Sequence, residues 1–255
     1  MKTSKRIVIF ILLCVVLFLY GGFVTLDWYI FSKQLFDMDH PDIPYSNQSK
    51  VMASFLCCII VWLIGKDGFQ KKDTLILKVI ALFIFAGDFF FLFDLKIPAI
   101  ICFGICQILY IIRHSPNLAI YIGSKRPGSH LFLDFFVSGI LFLSVLLFFV
   151  FVFIPAQGIS FFFFEVLAYA IVLCVSLWLA CAALRIKYFP KINAVLIWIG
   201  ITCFFLGDIT VGLGFSLTGE PRVIARYLTW IFYLPGLVLP ALSGFDLKKM
   251  ISYKL

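Results

Sequence analysis

A hydrocarbon layer roughly 30 Å thick is crossed by about 20 helical residues, and this chain carries apolar runs of that order along its whole length. They fall at residues 7 to 31, 51 to 65, 74 to 93, 97 to 112, 131 to 154, 160 to 184, 192 to 214 and 223 to 245. The runs at 51 to 65 and 97 to 112 are short for a full crossing. Of the 255 residues, 63% are hydrophobic, 13% are charged and 32 are Phe, a load that a water-soluble core of this size cannot hide. The pattern predicts an all-α, polytopic integral membrane protein with eight transmembrane helices in one domain over 1 to 255. The first run follows Lys2, Lys5 and Arg6. It exceeds the apolar stretch of a signal peptide and lacks a small-residue cleavage end, so it is read as a membrane anchor.

Eight crossings bring both termini to one face. Lys33, Lys50, Lys96, Arg222 and Arg226 belong to the opposite face, and the other 16 of the 21 basic residues share the face of the termini. Basic residues collect on the cytoplasmic side, so the expectation is a multi-pass protein of the cell membrane with both termini in the cytoplasm. The net charge of +8 is scattered between apolar runs. It suits anionic membrane lipids as partners and forms no nucleic-acid-binding face. All eight cysteines lie inside the runs and read as small packing residues. His40, His114 and His130 fall in loops or at helix ends, giving no zinc-like ligand set. No metal and no cofactor are expected.

Two acids interrupt the apolar pattern: Asp88 in FAGDFFF and Asp208 in FLGDITV. Each follows a glycine and sits late in the third helix of a four-helix set, which suggests parallel half-repeats over 1 to 125 and 126 to 255. At ~1.5 Å per residue, Asp88 lies about 21 Å from Thr74 and Asp208 about 24 Å from Ile192, both in the outer half of the membrane. Intramembrane acids face a bundle interior or a wet cavity. One such acid alone would suit a structural hydrogen bond, whereas two at matching depth point to a shared polar cavity. Gly87 and Gly207 allow a close approach beside each acid. Asp27, Asp94 and Glu165 lie nearer the interface and read as snorkelling or capping residues.

The following helices supply further candidates for that cavity. Phe103, Gln107 and Tyr110 share a helix face at i, i+4 and i+7, and Tyr233 precedes a break at Pro235 and Gly236. Lys50 opens the second helix at the same end of the bundle.

In this combination the chain resembles the YhhN-type membrane proteins, which include the lysoplasmalogenases. The residues that carry the resemblance are SKVMASFL with Lys50, AGDFFFLF with Asp88, FGICQILY with Phe103 and Tyr110, and GITCFFLGD with Gly200, Phe204 and Asp208. Their order and spacing agree over about 50 to 240. The chain departs from the pattern where Gln107 replaces a histidine and Val51 replaces a proline. The glutamine expected near the end of the last helix has no match around FYLPGLV.

The resemblance implies hydrolysis of the vinyl-ether bond of a lysoplasmalogen, releasing a fatty aldehyde and a glycerophospho-base. Protonation of the vinyl β-carbon gives an oxocarbenium-like cation that water captures. Such a site needs one protonated and one ionised carboxyl group. Asp88 and Asp208 are the catalytic candidates. Lys50, Gln107, Tyr110 and Tyr233 are the substrate-binding ones, with Lys50 as a point charge for the lipid phosphate or simply an interfacial lysine. The many Phe residues suit a slot for the alkenyl chain or plain lipid contact. A proton-coupled transporter and a non-catalytic lipid-binding protein remain the alternatives.

Overall fold

A computed structural model describes residues 3–33, 44–123 and 129–246. Its helices are α1 (Thr3–Ser32), α2 (Pro44–Ile64), α3 (Lys71–Leu92), α4 (Lys96–His114), the short α5 (Leu118–Ile122), α6 (Ser129–Phe148), α7 (Ile154–Gln157), α8 (Phe161–Ile186), α9 (Lys191–Ser216) and α10 (Gly219–Leu242). A π-helical turn over Phe149–Phe153 joins α6 to α7, so that the two make one crossing. Pro155 is the physical cause: it has no N–H for the preceding turn, and its ring displaces the carbonyl four residues earlier. Eight helical spans among the described residues are long and apolar enough to cross a membrane, as the sequence predicts.

The short second run grows when folded. α2 starts at Pro44 rather than at 51, because the polar residues Ser46 and Lys50 are turned into the bundle and buried. A hydropathy window counts them as solvent-facing and so cuts the helix short. Proline is well tolerated in a first turn, where its missing N–H has no helical partner anyway.

Helices consecutive in the chain pack antiparallel, and the contacts of α4 with α8 and of α2 with α10 join parallel crossings. α9 lies against α10, α3 against α4, and α2 against both α1 and α3, while α8 touches α4, α6 and α9. α10 also reaches α1 and α2, which places it in the middle of the bundle. Its approach to α9 is close. A Cβ on Gly236 would stand 2.8 Å from the Phe204 backbone nitrogen, and one on Gly200 would stand 2.4 Å from the Pro240 ring.

The break expected at Pro235 and Gly236 does not occur, and α10 runs through both Pro235 and Pro240. Proline at 235 leaves the Ile231 carbonyl without its helical donor. The Tyr20 hydroxyl of α1 donates to that carbonyl at 3.1 Å, so a neighbouring helix satisfies the freed group, as backbone inside a membrane requires.

The end of the bundle that carries the N-terminus is tied by polar contacts. Arg113 of α4 is buried, donating from Nε to Asp73 at 2.8 Å and from Nη1 to the Ser243 hydroxyl at 3.0 Å. Asn193 of α9 donates to the carbonyls of Ser243 at 2.7 Å and Phe245 at 2.6 Å. Gly68 and Phe245 form an antiparallel bridge. Lys5 pairs with Asp67 beside it.

Candidate active site

Near the opposite end, α3, α4, α8, α9 and α10 line a chamber of about 100 Å³. Asp88 and Asp208 both line it, with Tyr169 and Tyr233 among its other walls. Phe91, Phe103 and Trp230 make the rest largely apolar. The backbone explains how two acids come this close. A Cβ on Gly87 would meet the Phe103 ring at 2.8 Å, and one on Gly207 would meet the Tyr233 backbone at 3.5 Å. The glycine before Asp88 therefore lets α4 lie directly against α3, whereas at 207 a methyl group would make only ordinary contact with α10.

Each carboxyl group receives one tyrosine hydroxyl from another helix. Tyr233 of α10 donates to Asp88 Oδ1 at 2.8 Å, and Tyr169 of α8 donates to Asp208 Oδ2 at 2.5 Å. Asp88 is buried, and its Oδ2 accepts no hydrogen bond. Asp208 is partly open to the chamber. The Trp230 and Phe204 rings pack edge-on against Tyr233, with centroids 5.1 and 5.3 Å away, which fixes the orientation of its hydroxyl.

The chamber continues outward into a wider basin of about 560 Å³. Asp88, Phe91, Val211, Phe215, Thr229 and Trp230 belong to both. Lys50, Lys96, Arg222 and Arg226 line the basin together with Asp27 and Asp94. Lys50 Nζ lies 2.9 Å from Asp27 and stands over the Trp230 and Phe23 rings at 5.2 and 5.7 Å.

A model of the YhhN family matches residues 46–243, a stretch that contains both acids, both tyrosines and the four basin cations. The chain belongs to the YhhN family. Comparison with curated proteins and with solved structures gives no significant match.

Among the residues singled out from sequence, this YhhN chain brings Asp88, Asp208 and Tyr233 to one chamber and Lys50 to the adjoining basin. Gln107 and Tyr110 line neither. Gln107 is fully buried with its amide near the Tyr169 hydroxyl, short of a hydrogen bond. Tyr110 is stacked on His114 at a ring distance of 5.5 Å, toward the tied end, and faces a separate small void. The reason is position along α4, since the three residues share one face of the helix. Phe103 and Gln107 point toward the acids from successive turns, whereas Tyr110 is already a further turn nearer the N-terminal end.

Asp27 also departs from the snorkelling role expected of it, since it is buried against Lys50. Tyr169 does not stand out in the sequence. Its only signal is a hydroxyl in the middle of the run FFFFEVLAYAIVL, a place where a polar group needs a partner.

Proposed function

We propose that this protein is a membrane-embedded lipid hydrolase that cleaves the vinyl-ether bond of lysoplasmalogens. One observation carries the reading: two intramembrane carboxyl groups, each held by a tyrosine, share an apolar chamber that opens into a cation-lined basin. An amphiphile with a charged head and an alkenyl chain matches that division. Membership of a family that includes lysoplasmalogenases supports the same reading.

The arrangement suggests a division of labour. Asp88, whose Oδ2 is unpartnered, delivers a proton to the vinyl β-carbon, and positive charge develops across the α-carbon and the ether oxygen. Asp208 faces that cation and takes a proton from the water that adds to the α-carbon. The resulting hemiacetal then collapses. Its hydroxyl proton returns to Asp88, and Asp208 protonates the departing glycerol oxygen, leaving aldehyde, alcohol and both carboxyl groups restored. Paired carboxyl groups perform the same two tasks in glycoside hydrolysis.

The test is release of free aldehyde from lysoplasmalogen by the purified protein. Asp88→Asn and Asp208→Asn should each abolish it. Full activity in Asp88→Asn, or bound lipid with no aldehyde from the native chain, refutes the hydrolase reading, and the second result favours a lipid-binding protein.

A further inference from the structure

Among the described residues, Lys50, Lys96, Arg222 and Arg226 line a single basin. Asp27 and Asp94 line the basin too and offset part of this charge, which leaves a positive surplus that attracts an anion. The four differ in what already neutralises them. Lys50 is buried on Asp27 at 2.9 Å and boxed by two aromatic rings. Lys96 has a loose partner in exposed Asp94 at 3.5 Å, a contact worth little in water. Arg222 has a buried Nε without a hydrogen-bond partner.

Lys96 and Arg222 also share a second recess, next to the basin and lined by Gln157, Phe215, Ser216 and Thr218. They open α4 and the first turn of α10 respectively. Both side chains thus belong to the first turn of a helix, where the dipole adds positive charge.

We infer that Lys96 and Arg222 form a subsite for the phosphate of a phosphoester headgroup, and that Lys50 is not its ligand. The inference rests on the lipid-hydrolase reading for its substrate and adds where the headgroup is held. Arg offers a planar fork suited to two phosphate oxygens, and Lys adds a mobile point charge. Asp88 lines both the basin and the chamber. A phosphate held at Arg222 is thus joined through open space to the acid, and the glycerol backbone is the part of the lipid that spans the two.

The experiment compares lipids with and without the phosphate in single variants. For lysoplasmalogen, Lys96→Gln and Arg222→Gln should each raise KM about tenfold with kcat little changed. For 1-O-alkenylglycerol, which keeps the vinyl ether and lacks the phosphate, neither KM nor kcat should move. Lys33→Gln, an exposed cation at the same end outside the basin, controls for general charge attraction and should leave both substrates unaffected.

A binding arm does not depend on hydrolysis. Affinity for a saturated alkyl lysophospholipid, which has no vinyl ether, read by isothermal titration calorimetry should weaken about tenfold in each variant, while affinity for alkylglycerol stays constant and reports an intact fold. Competition by glycerol 3-phosphate separates the sources: displacement at equal concentration supports a soluble phosphoester, and failure to displace supports a lipid headgroup. Should the Lys96→Gln/Arg222→Gln double variant bind the alkyl lysophospholipid as the native chain does, the subsite is refuted, whatever the aldehyde assay gives. Loss of aldehyde release with the binding differences intact would overturn the hydrolase reading alone.

Discussion

Asp27→Asn should be among the most damaging single changes to this bundle. The side chains of Asp27 and Lys50 are 3% and 7% exposed, and they meet at 2.9 Å. The substitution keeps the shape and takes away the negative charge, so the ammonium loses that carboxylate inside a low-dielectric wall. Breaking a buried pair from one side costs about 3–5 kcal/mol. The Trp230 and Phe23 rings are present before and after the change, so they offset none of the loss.

Removing both charges is a different perturbation. In Asp27→Asn/Lys50→Met an apolar chain of similar length fills the lysine's place, and such replacements are often neutral or stabilising. The double variant should regain at least about 2 kcal/mol over the single one. Unfolding in mixed micelles with rising SDS, followed by tryptophan fluorescence, measures both. A loss under about 1 kcal/mol in the single variant, a value ordinary for any substitution, would refute the reasoning. So would a double variant no more stable than the single one, since the damage would then not arise from the stranded charge.

Tyr233→Phe deletes the 2.8 Å hydrogen bond to Asp88 and keeps the ring contacts; with about 1.5–3 kcal/mol for a bond to a charged group, aldehyde release should slow roughly 10- to 100-fold with little change in thermal unfolding. Tyr169→Phe should act likewise through Asp208, and full activity in both would remove the tyrosines from the mechanism. Gly236→Ala forces a methyl group to within 2.8 Å of the Phe204 nitrogen, so α9 and α10 must part; a loss of about 1–3 kcal/mol should appear in the same SDS titration, together with weaker activity. Gln107→His introduces an imidazole beside Tyr169, a group that can exchange a proton where the amide cannot. It should alter the pH profile of the rate while leaving the protein active, and it should not rescue Asp88→Asn.

Much of this architecture is legible in the sequence because the medium enforces it. Every crossing must satisfy its own backbone, so helix number follows from apolar run length. Asp88 and Asp208 stand out because a carboxyl group in such a run is conspicuous, and the glycine before each repeats the context. What sequence conceals is which side chains meet between one helix and another, near or distant in the chain. Asp27 and Lys50 belong to α1 and α2, and no periodicity in either helix announces that they meet. The same blindness hides Tyr169, whose hydroxyl finds Asp208 across 39 residues. It also hides the gathering of Lys96 and Arg222, which begin helices in opposite halves of the chain. The Pro235 and Gly236 pair misleads in the other direction, since local chemistry reads as a break and Tyr20, some two hundred positions away, makes it harmless.

The tied end described earlier gives the molecule a direction. With Asp73, Arg113, Asn193 and Ser243 knotted together on one side and the basin hollowed into the other, the bundle has the form of a cup rather than a conduit. On the lipid-hydrolase reading, a lipid reaches the acids from the leaflet at the rim, and a water-soluble fragment leaves by the same opening. A pool of the same lipid in the other leaflet is out of reach until something else carries it across, so the rate of transbilayer movement, and not the chemistry, would set how much of that pool the protein could consume.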